Sequence, residues 1–461
     1  MNIEIIAILL ALGALMAIAF RGLPVIVFAP LCALLAAGLS GQPLLPTYTE
    51  TFMASAAGYI RSFFPLFLLG AVFGKLMEKS GAAATIAGTI ARAVGPRQSI
   101  LAVVMACGVL TYGGVSLFVV AFAVYPFASA LFREADVPKR LIPGAIALGA
   151  FTLTMDALPG SPQILNLIPT RYFGTDAYAA PWAGTLGGAL ILGGGLLWLE
   201  RRRARAASAG EGYGTGHINE PDAEAARPRP HLVAAVLPLV LVLGGNFVLS
   251  RTSWSVAAWY PGELLNRDFP SADAAAAAPT WALIVALVLG SGAALAVGAG
   301  RWRGNLSTAL SAATTGALLA IFNTASEVGF GNTVKGLPGF RAIQEQVFLV
   351  SRHVLLSEAT AINVLAGITG SASGGLSIAL ELMGRRYLDL AQAQRVSPEM
   401  LHRIAAMAAG GMDTLPHNGA VITLLMVTGL THRQSYLDIL AITVLKTLTV
   451  FVLAFAGSVL Q

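Results

Sequence analysis

Apolar residues run along this chain in stretches far longer than a globular core element needs. They cover Ile3–Phe20, Leu23–Leu39, Phe52–Val72, Trp182–Leu199, Leu232–Leu249, Trp281–Ala299, Leu306–Phe322 and Leu437–Leu460. About 20 apolar residues in a helix cross the ~30 Å hydrocarbon core of a bilayer, so each run predicts a membrane crossing. Two more stretches, Lys139–Ile168 and Pro398–Leu430, are interrupted midway by Pro and Gly and predict broken helices. Two doubled half-length runs, Ile100–Leu110 with Val115–Tyr125 and Ala359–Ile368 with Leu376–Leu382, predict re-entrant hairpins, because each arm is too short to span. Glu200–Pro230 is polar, basic at Arg201, Arg202, Arg203 and Arg205 and then acidic; it predicts a flexible linker between two halves.

Composition sharpens this into an all-α polytopic membrane protein. Of the 461 residues, 56% are hydrophobic and 11% charged, where a soluble chain carries roughly 25% charge. The two cysteines, Cys32 and Cys107, lie inside apolar runs and read as buried small side chains, not as a disulfide or metal site. Ile3–Phe20 lacks a basic start and carries Glu4, so it is not read as a cleavable signal peptide. The net charge of +6 is a topology signal and implies no nucleic-acid partner. Counting crossings gathers Arg21, Lys75–Arg97, Arg133–Arg140, Arg201–Arg229, Arg301, Arg303 and Arg433 on one side. That side holds most of the basic residues and is read as cytoplasmic, with both termini outside. The arginines of Arg385–Arg403 are the exception, and Lys446, inside a helix, reads as a snorkelling or interface lysine and not as a site residue.

The two halves repeat each other. Met155-Asp156-Ala157-Leu158-Pro159-Gly160 returns as Met412-Asp413-Thr414-Leu415-Pro416-His417 at an offset of 257, which also carries Phe73-Gly74 onto Phe330-Gly331. Gly113-Gly114-Val115-Ser116 answers to Gly374-Gly375-Leu376-Ser377, and Val137-Pro138 to Ser397-Pro398. Each half, 1–199 and 231–461, holds five crossings and one hairpin. An odd number of crossings sends the second copy in from the opposite side, so the repeats are inverted, as in secondary transporters.

The motifs Thr111-Tyr112-Gly113-Gly114-Val115-Ser116-Leu117-Phe118, Asn323-Thr324-Ala325-Ser326-Glu327-Val328-Gly329-Phe330-Gly331, Gly370-Ser371-Ala372-Ser373-Gly374-Gly375 and Asp413-Thr414-Leu415-Pro416-His417-Asn418-Gly419 resemble the gluconate permease family of proton symporters. The resemblance covers the chain apart from the linker and Ser250–Thr280. It implies uptake of a small hydroxy-monocarboxylate, of the gluconate or 3-hydroxybutyrate type, across a bacterial inner membrane. It also implies a homodimer whose transport unit moves against a scaffold.

The residues themselves suggest how an anion would be held. Helix N-termini present free N–H groups and a positive dipole end, and four are expected: after Gly113-Gly114, after Gly374-Gly375, after Pro159-Gly160 and after Pro416-His417-Asn418-Gly419. Thr111, Tyr112, Ser116, Ser161, Ser371, Ser373, Ser377, His417 and Asn418 can add polar contacts. The same glycines and serines also serve close helix packing. Candidates for carrying the coupling proton are Glu327, Asp156, Asp413 and His417; either aspartate could instead cap a half-helix. Glu327 has only Gly70 as its counterpart in the first half. No metal or cofactor is expected, and H⁺ and Na⁺ stand as alternative coupling ions. An anion channel would use the same hairpins. An intramembrane hydrolase built on Asp156 and Asp413, or on Ser373 and His417, lacks the Gly-x-Gly-Asp and Gly-x-Ser-Gly contexts.

Overall fold

In hydrocarbon a segment must close its own backbone hydrogen bonds, and a helix does so without partners. The computed structural model describes residues 3–20, 23–115, 117–220, 230–251, 259, 274–302, 306–340, 351, 353–369, 372–412, 414–416 and 418–459. The described elements are helices throughout. In chain order they are α1 (Ile3–Phe20), α2 (Val25–Leu39), α3 (Leu44–Lys79), α4 (Ala82–Val94), α5 (Ser99–Tyr112), α6 (Leu117–Glu134), α7 (Ile142–Ala150), α8 (Leu153–Asp156), α9 (Ile168–Phe173) and α10 (Pro181–Ser208). The second half supplies α11 (Leu232–Arg251), α12 (Ala274–Val297), α13 (Leu306–Lys335), α14 (Val354–Thr369), α15 (Ala372–Ala393), α16 (Pro398–Ala409), α17 (Gly419–Thr428) and α18 (His432–Val459). Helices α3, α10, α11, α12, α13 and α18 are long and apolar enough to cross a membrane. The first two predicted crossings form the shorter α1 and α2.

Helix packing sorts these elements into two groups. The plainly apolar helices pack together, α1 on α2, α2 on α13, α13 on α3, α3 on α12 and α12 on α11. The second group holds the interrupted elements, with α5 on α6 and α7 and α14 on α15 and α16, together with the uninterrupted α10 and α18, which pack on each other while α18 also packs on α7. The groups meet mainly where α13 touches α15, where α11 touches α4 and where α1 touches α14. Corresponding pairings recur in the two halves. Helix α3 packs on α12 as α13 does on α2, and α5 packs on α7 as α14 does on α16.

The hairpins and breaks differ from expectation in three places. Helix α15 begins at Ala372, so Gly374-Gly375 lies inside its first turn and not ahead of it. No long helix follows Pro159-Gly160. The chain turns through Pro162, makes a single tight turn at Ile164–Asn166 and only then forms the six-residue α9. Pro162 withdraws an N–H and disfavours the helical region at Ser161, which explains the delay. In the second copy, α17 does start directly after Asn418.

The third difference is the linker. Helix α10 continues to Ser208, and residues 209–220 are docked on the end of the molecule. The buried Tyr213 shares a hydrogen bond of 2.8 Å with Ser129. Glu220 pairs with Arg133 and, at 2.8 Å, with the buried Lys139; Glu211 pairs with Arg140 at 2.6 Å. Asp438 receives Arg202 at 2.9 Å, and Arg301 reaches the Ser80 carbonyl. These contacts bring Arg133, Lys139, Arg140 and Arg202 to one end of the molecule. Residues 221–229 lie outside the described set.

Two predictions follow from packing and charge. A Cβ at Gly149 would run into the Val104 carbonyl and Cys107 where α7 crosses α5, whereas Gly292 has open space around it. Gly149→Ala should lower the melting temperature in detergent, at an overpacking cost of about 1–3 kcal/mol, and Gly292→Ala should not. The second concerns the docked segment. Arg140 holds Glu211 below its ordinary value of 4.5. Glu220 is also held below 4.5: desolvation pushes it up, but hydrogen bonds from Lys139 and Tyr213 outweigh that. A depressed carboxylate adds stability above the ordinary value and loses it as pH falls through the folded one. Proteolytic cutting at Arg201–Arg205 should therefore accelerate below pH 4.5, and Glu220→Gln should show the fast rate at neutral pH.

Candidate functional site

At the first break, α7 ends at Phe151, and α8 makes a single turn ending at Asp156. The following Pro159-Gly160-Ser161-Pro162 folds back on itself. Gly160 sits at φ +81°, with the Tyr178 ring where a side chain would go, so only glycine fits. Its N–H donates to Ala177 O at 2.8 Å, and Ser161 Oγ donates to Thr154 O at 2.6 Å. The tip of the first hairpin is tied to this fold. Tyr112 Oη donates to Pro159 O at 2.7 Å, and Gln163 Nε2 to Thr111 O at 2.7 Å. Gly114, at φ +92°, lets the tip turn tightly against Pro162, Phe73 of α3 and Val242 of α11, with Leu239 against Gly113. The structure thus joins Thr111, Tyr112, Gly113, Gly114, Gly160 and Ser161 in one cluster.

The second break joins a different set. Helix α16 ends at Gly410, and Asn418 caps α17, its side chain accepting from Ala420 N at 2.7 Å and Val421 N at 3.3 Å. That cap uses N–H groups that the sequence reading offers to a substrate anion, with Gly419 as the first helical residue. Thr414 and Thr443 share a hydroxyl contact, and Asn363 of α14 donates to Ala408 O at 3.1 Å. In the second hairpin, Gly375 packs on Ala366, and Gly374 lies against the Glu327 carboxylate. Thr324 and Ser373 hydroxyls are 3.3 Å apart, so α13 touches the start of α15 at both residues. Ser377 is buried one turn further on. Ser116, Ser371, Asp413 and His417 lie outside the described residues.

Two cations hold the first break, and both come from the second half. Lys446 of α18 contacts Asp156 Oδ2 at 2.5 Å and donates to Phe151 O at 3.0 Å, with both partners of the ion pair essentially excluded from the surface. Arg403 of α16 donates to Asp156 O at 2.8 Å, Asn166 Oδ1 at 2.9 Å and Ala179 O at 2.8 Å, and reaches Ala177 O at 3.3 Å. His402 beside it meets Thr175 Oγ1 at 2.6 Å. Gly410 packs against both Asp156 and Lys446, so the two breaks cross at this pair. A cavity of about 10 Å³ lies beside it, lined by Phe151, Thr152, Gly410, Thr414, Thr443 and Lys446; that volume admits about one water.

Lys446 is therefore an ion-pair partner and not a snorkelling residue. A snorkelling lysine would carry its ammonium to the membrane surface, and this one is 1% exposed. Asp156 is ion-paired, and its carboxylate caps no helix among the described residues. Arg403, missed as a site residue, was visible as a strain in the charge count, since it belongs to the arginines left on the wrong side. Glu358 of α14 was also missed; it is fully buried, and neither carboxylate oxygen has a hydrogen-bond partner among the described residues.

Comparison with known proteins places this architecture. A family model described as GntP family permease matches residues 1–179. The uncharacterized transporter YxjC of Bacillus subtilis (strain 168) is 50% identical over 463 residues, covering 97% of both chains. The crystal structure of the YdaH transporter of Alcanivorax borkumensis, described as having an unusual topology, resembles it at a TM-score of 0.56 and 19% identity. That likeness covers 89% of this chain and 87% of the other, and concerns the fold alone.

The guanidinium contacts generate a prediction. Arg403→Lys keeps the charge but cannot reach carbonyls on both sides of a planar fork. Each buried group left unpaired costs about 1–3 kcal/mol, so the variant should melt well below the wild type in detergent. Melting at the wild-type temperature would show that the fork is dispensable.

Proposed function

The chain belongs to the GntP permease family and is a membrane transporter, not an enzyme; on that premise we propose that it carries a small hydroxy-monocarboxylate inward together with a proton. The scaffold is the group formed by α1, α2, α3, α11, α12 and α13. The transport unit is the group of hairpins and breaks, related in the two halves as inverted repeats and moving as a body in an elevator-like cycle, within a homodimer in the bacterial inner membrane. The recurring helix pairings support the repeat, and the restricted contact between the groups supports relative motion.

One observation carries the coupling. Glu327, on a scaffold helix, holds its carboxylate against Gly374 in the first turn of α15. A helix N-terminus attracts one anion well, and a second carboxylate placed there meets like-charge repulsion. Protonating Glu327 removes that competitor and opens the α15 N-terminus to the substrate carboxylate. Proton and anion then favour each other's binding, and the coupling is reciprocal. Ser373, Gly374, Gly375 and Ser377 line the position on α15, with Ser371 just before it. Thr111, Tyr112, Gly113, Gly114, Ser116, Gly160 and Ser161 contribute from the first half, and His417, Asn418 and Gly419 from the second break. Asp413 and His417 are further candidates for proton transfer. Asp156, already neutralised by Lys446, is the weakest.

The test uses proteoliposomes with gluconate, glycerate, lactate and 3-hydroxybutyrate under an imposed pH gradient. One or more of these acids should accumulate, and accumulation should fade as the external pH rises. Glu327→Gln should retain substrate exchange while losing gradient-driven accumulation by an order of magnitude or more. If Glu327→Gln concentrates substrate at the native rate with the native pH profile, Glu327 is structural. Downhill flux with no proton dependence in the wild type would make the protein a channel.

A further inference from the structure

The first break directs two acceptors at one point: the Phe151 carbonyl, which ends α7, and the Asp156 carboxylate, which ends α8. Carbonyls at the C-terminal ends of half-helices are what discontinuous membrane helices offer to Na⁺ or H⁺. Here the point is taken. Lys446 Nζ lies 3.0 Å from Phe151 O and 2.5 Å from Asp156 Oδ2. An ammonium on a flexible stem is a compact point cation, and α18 delivers it from the far half of the chain. Arg403 covers the neighbouring carbonyls of Asp156, Ala177 and Ala179. The adjoining cavity of about 10 Å³ leaves room for about one water.

The sequence supplies no corresponding cations for the second break. At the offset of 257 that carries Asp156 onto Asp413, Lys446 corresponds to Ala189 and Arg403 to Ile146. The aspartate is duplicated, and its tethered cations are not. We propose that the Lys446 ammonium is a built-in cation that permanently occupies the position a free Na⁺ would take at Phe151 and Asp156, leaving the second break and Glu327 to serve the mobile ion of the transport cycle. This rests on the reading of the chain as an ion-coupled carrier and adds which of the two breaks is closed to ions.

The test is thermal melting of the purified protein in detergent, in NaCl against choline chloride at equal ionic strength. Wild type should melt at the same temperature in both salts. Lys446→Ala should melt lower than wild type in choline chloride and rise by roughly 2–4 °C in NaCl, as Na⁺ enters the vacated position. The double variant Lys446→Ala with Asp156→Ala should lose that rise. Na⁺ stabilisation of the wild type that Asp156→Asn removes would overturn the proposal, as would a folded Lys446→Ala that melts alike in both salts. Should Lys446→Ala be recovered in neither salt while the neutral pair Lys446→Met with Asp156→Asn is recovered, Na⁺ cannot stand in for the ammonium and the proposal falls. Should both variants be lost, the wild-type comparison with Asp156→Asn decides in the same terms. Melting involves no transported acid. Absence of uptake in proteoliposomes would therefore sink the carrier reading and leave these outcomes readable.

Discussion

A backbone carbonyl freed inside hydrocarbon has no water to turn to, and the central part of this structure is organised around that demand. Breaking a membrane helix releases several such groups at once, each costly to leave unmet. At the first break the chain answers with side chains from elsewhere. Arg403 gathers the carbonyls of Asp156, Ala177 and Ala179, Lys446 takes that of Phe151, and Asn166 bridges Ser161 and Ala177. Burying two cations would be prohibitive alone. It is tolerable because each donor finds an acceptor and because the Asp156 carboxylate is within 2.5 Å of Lys446.

The same solution binds the halves to each other. Arg403 and Lys446 sit more than two hundred residues after the break they satisfy, so the first break cannot reach this conformation until the second half has folded onto it. Breaking a buried ion pair from one side costs about 3–5 kcal/mol, a large fraction of the stability of most domains. The hairpins and breaks are therefore held as one unit by polar bonds. The apolar helices beside them pack mainly through apolar side chains, so the two groups are held by different kinds of contact.

Helix existence was legible from the apolar runs because hydrocarbon imposes a length on them, and both interruptions were legible because Pro and Gly cluster there. The repeated Asp-x-Leu-Pro motif falls between α7 and α9 in the first half and between α16 and α17 in the second. What sequence could not convey was where each break resumes. Pro159 and Pro162 together delay the helix to Ile168, while Pro416 is followed by Asn418, which caps α17 at once. Long-range partners were invisible for a different reason. The acidic residue of its own helix, Asp438, lies eight positions from Lys446 and pairs with Arg202 instead, so periodicity alone suggested an excursion to the surface. Arg403 was noticed only as a misfit in the topology, and that misfit was the trace of its burial.

The two hairpins, alike in sequence, face different surroundings, and this difference distributes the work between them. The first tip, at Gly113-Gly114, abuts Leu239, Val242 and Phe73 and is tied by Tyr112 and Gln163 to the break behind it. Nothing ionisable presses on it from the scaffold side among these contacts, so its hold there is apolar. The start of α15 instead meets Thr324 and Glu327. A carboxylate against a helix N-terminus makes the hold on this hairpin depend on charge, because the attraction weakens when the carboxylate is neutralised. Two hairpins alike in sequence thus differ in what holds them, apolar contact at the first and a charge-dependent contact at the second.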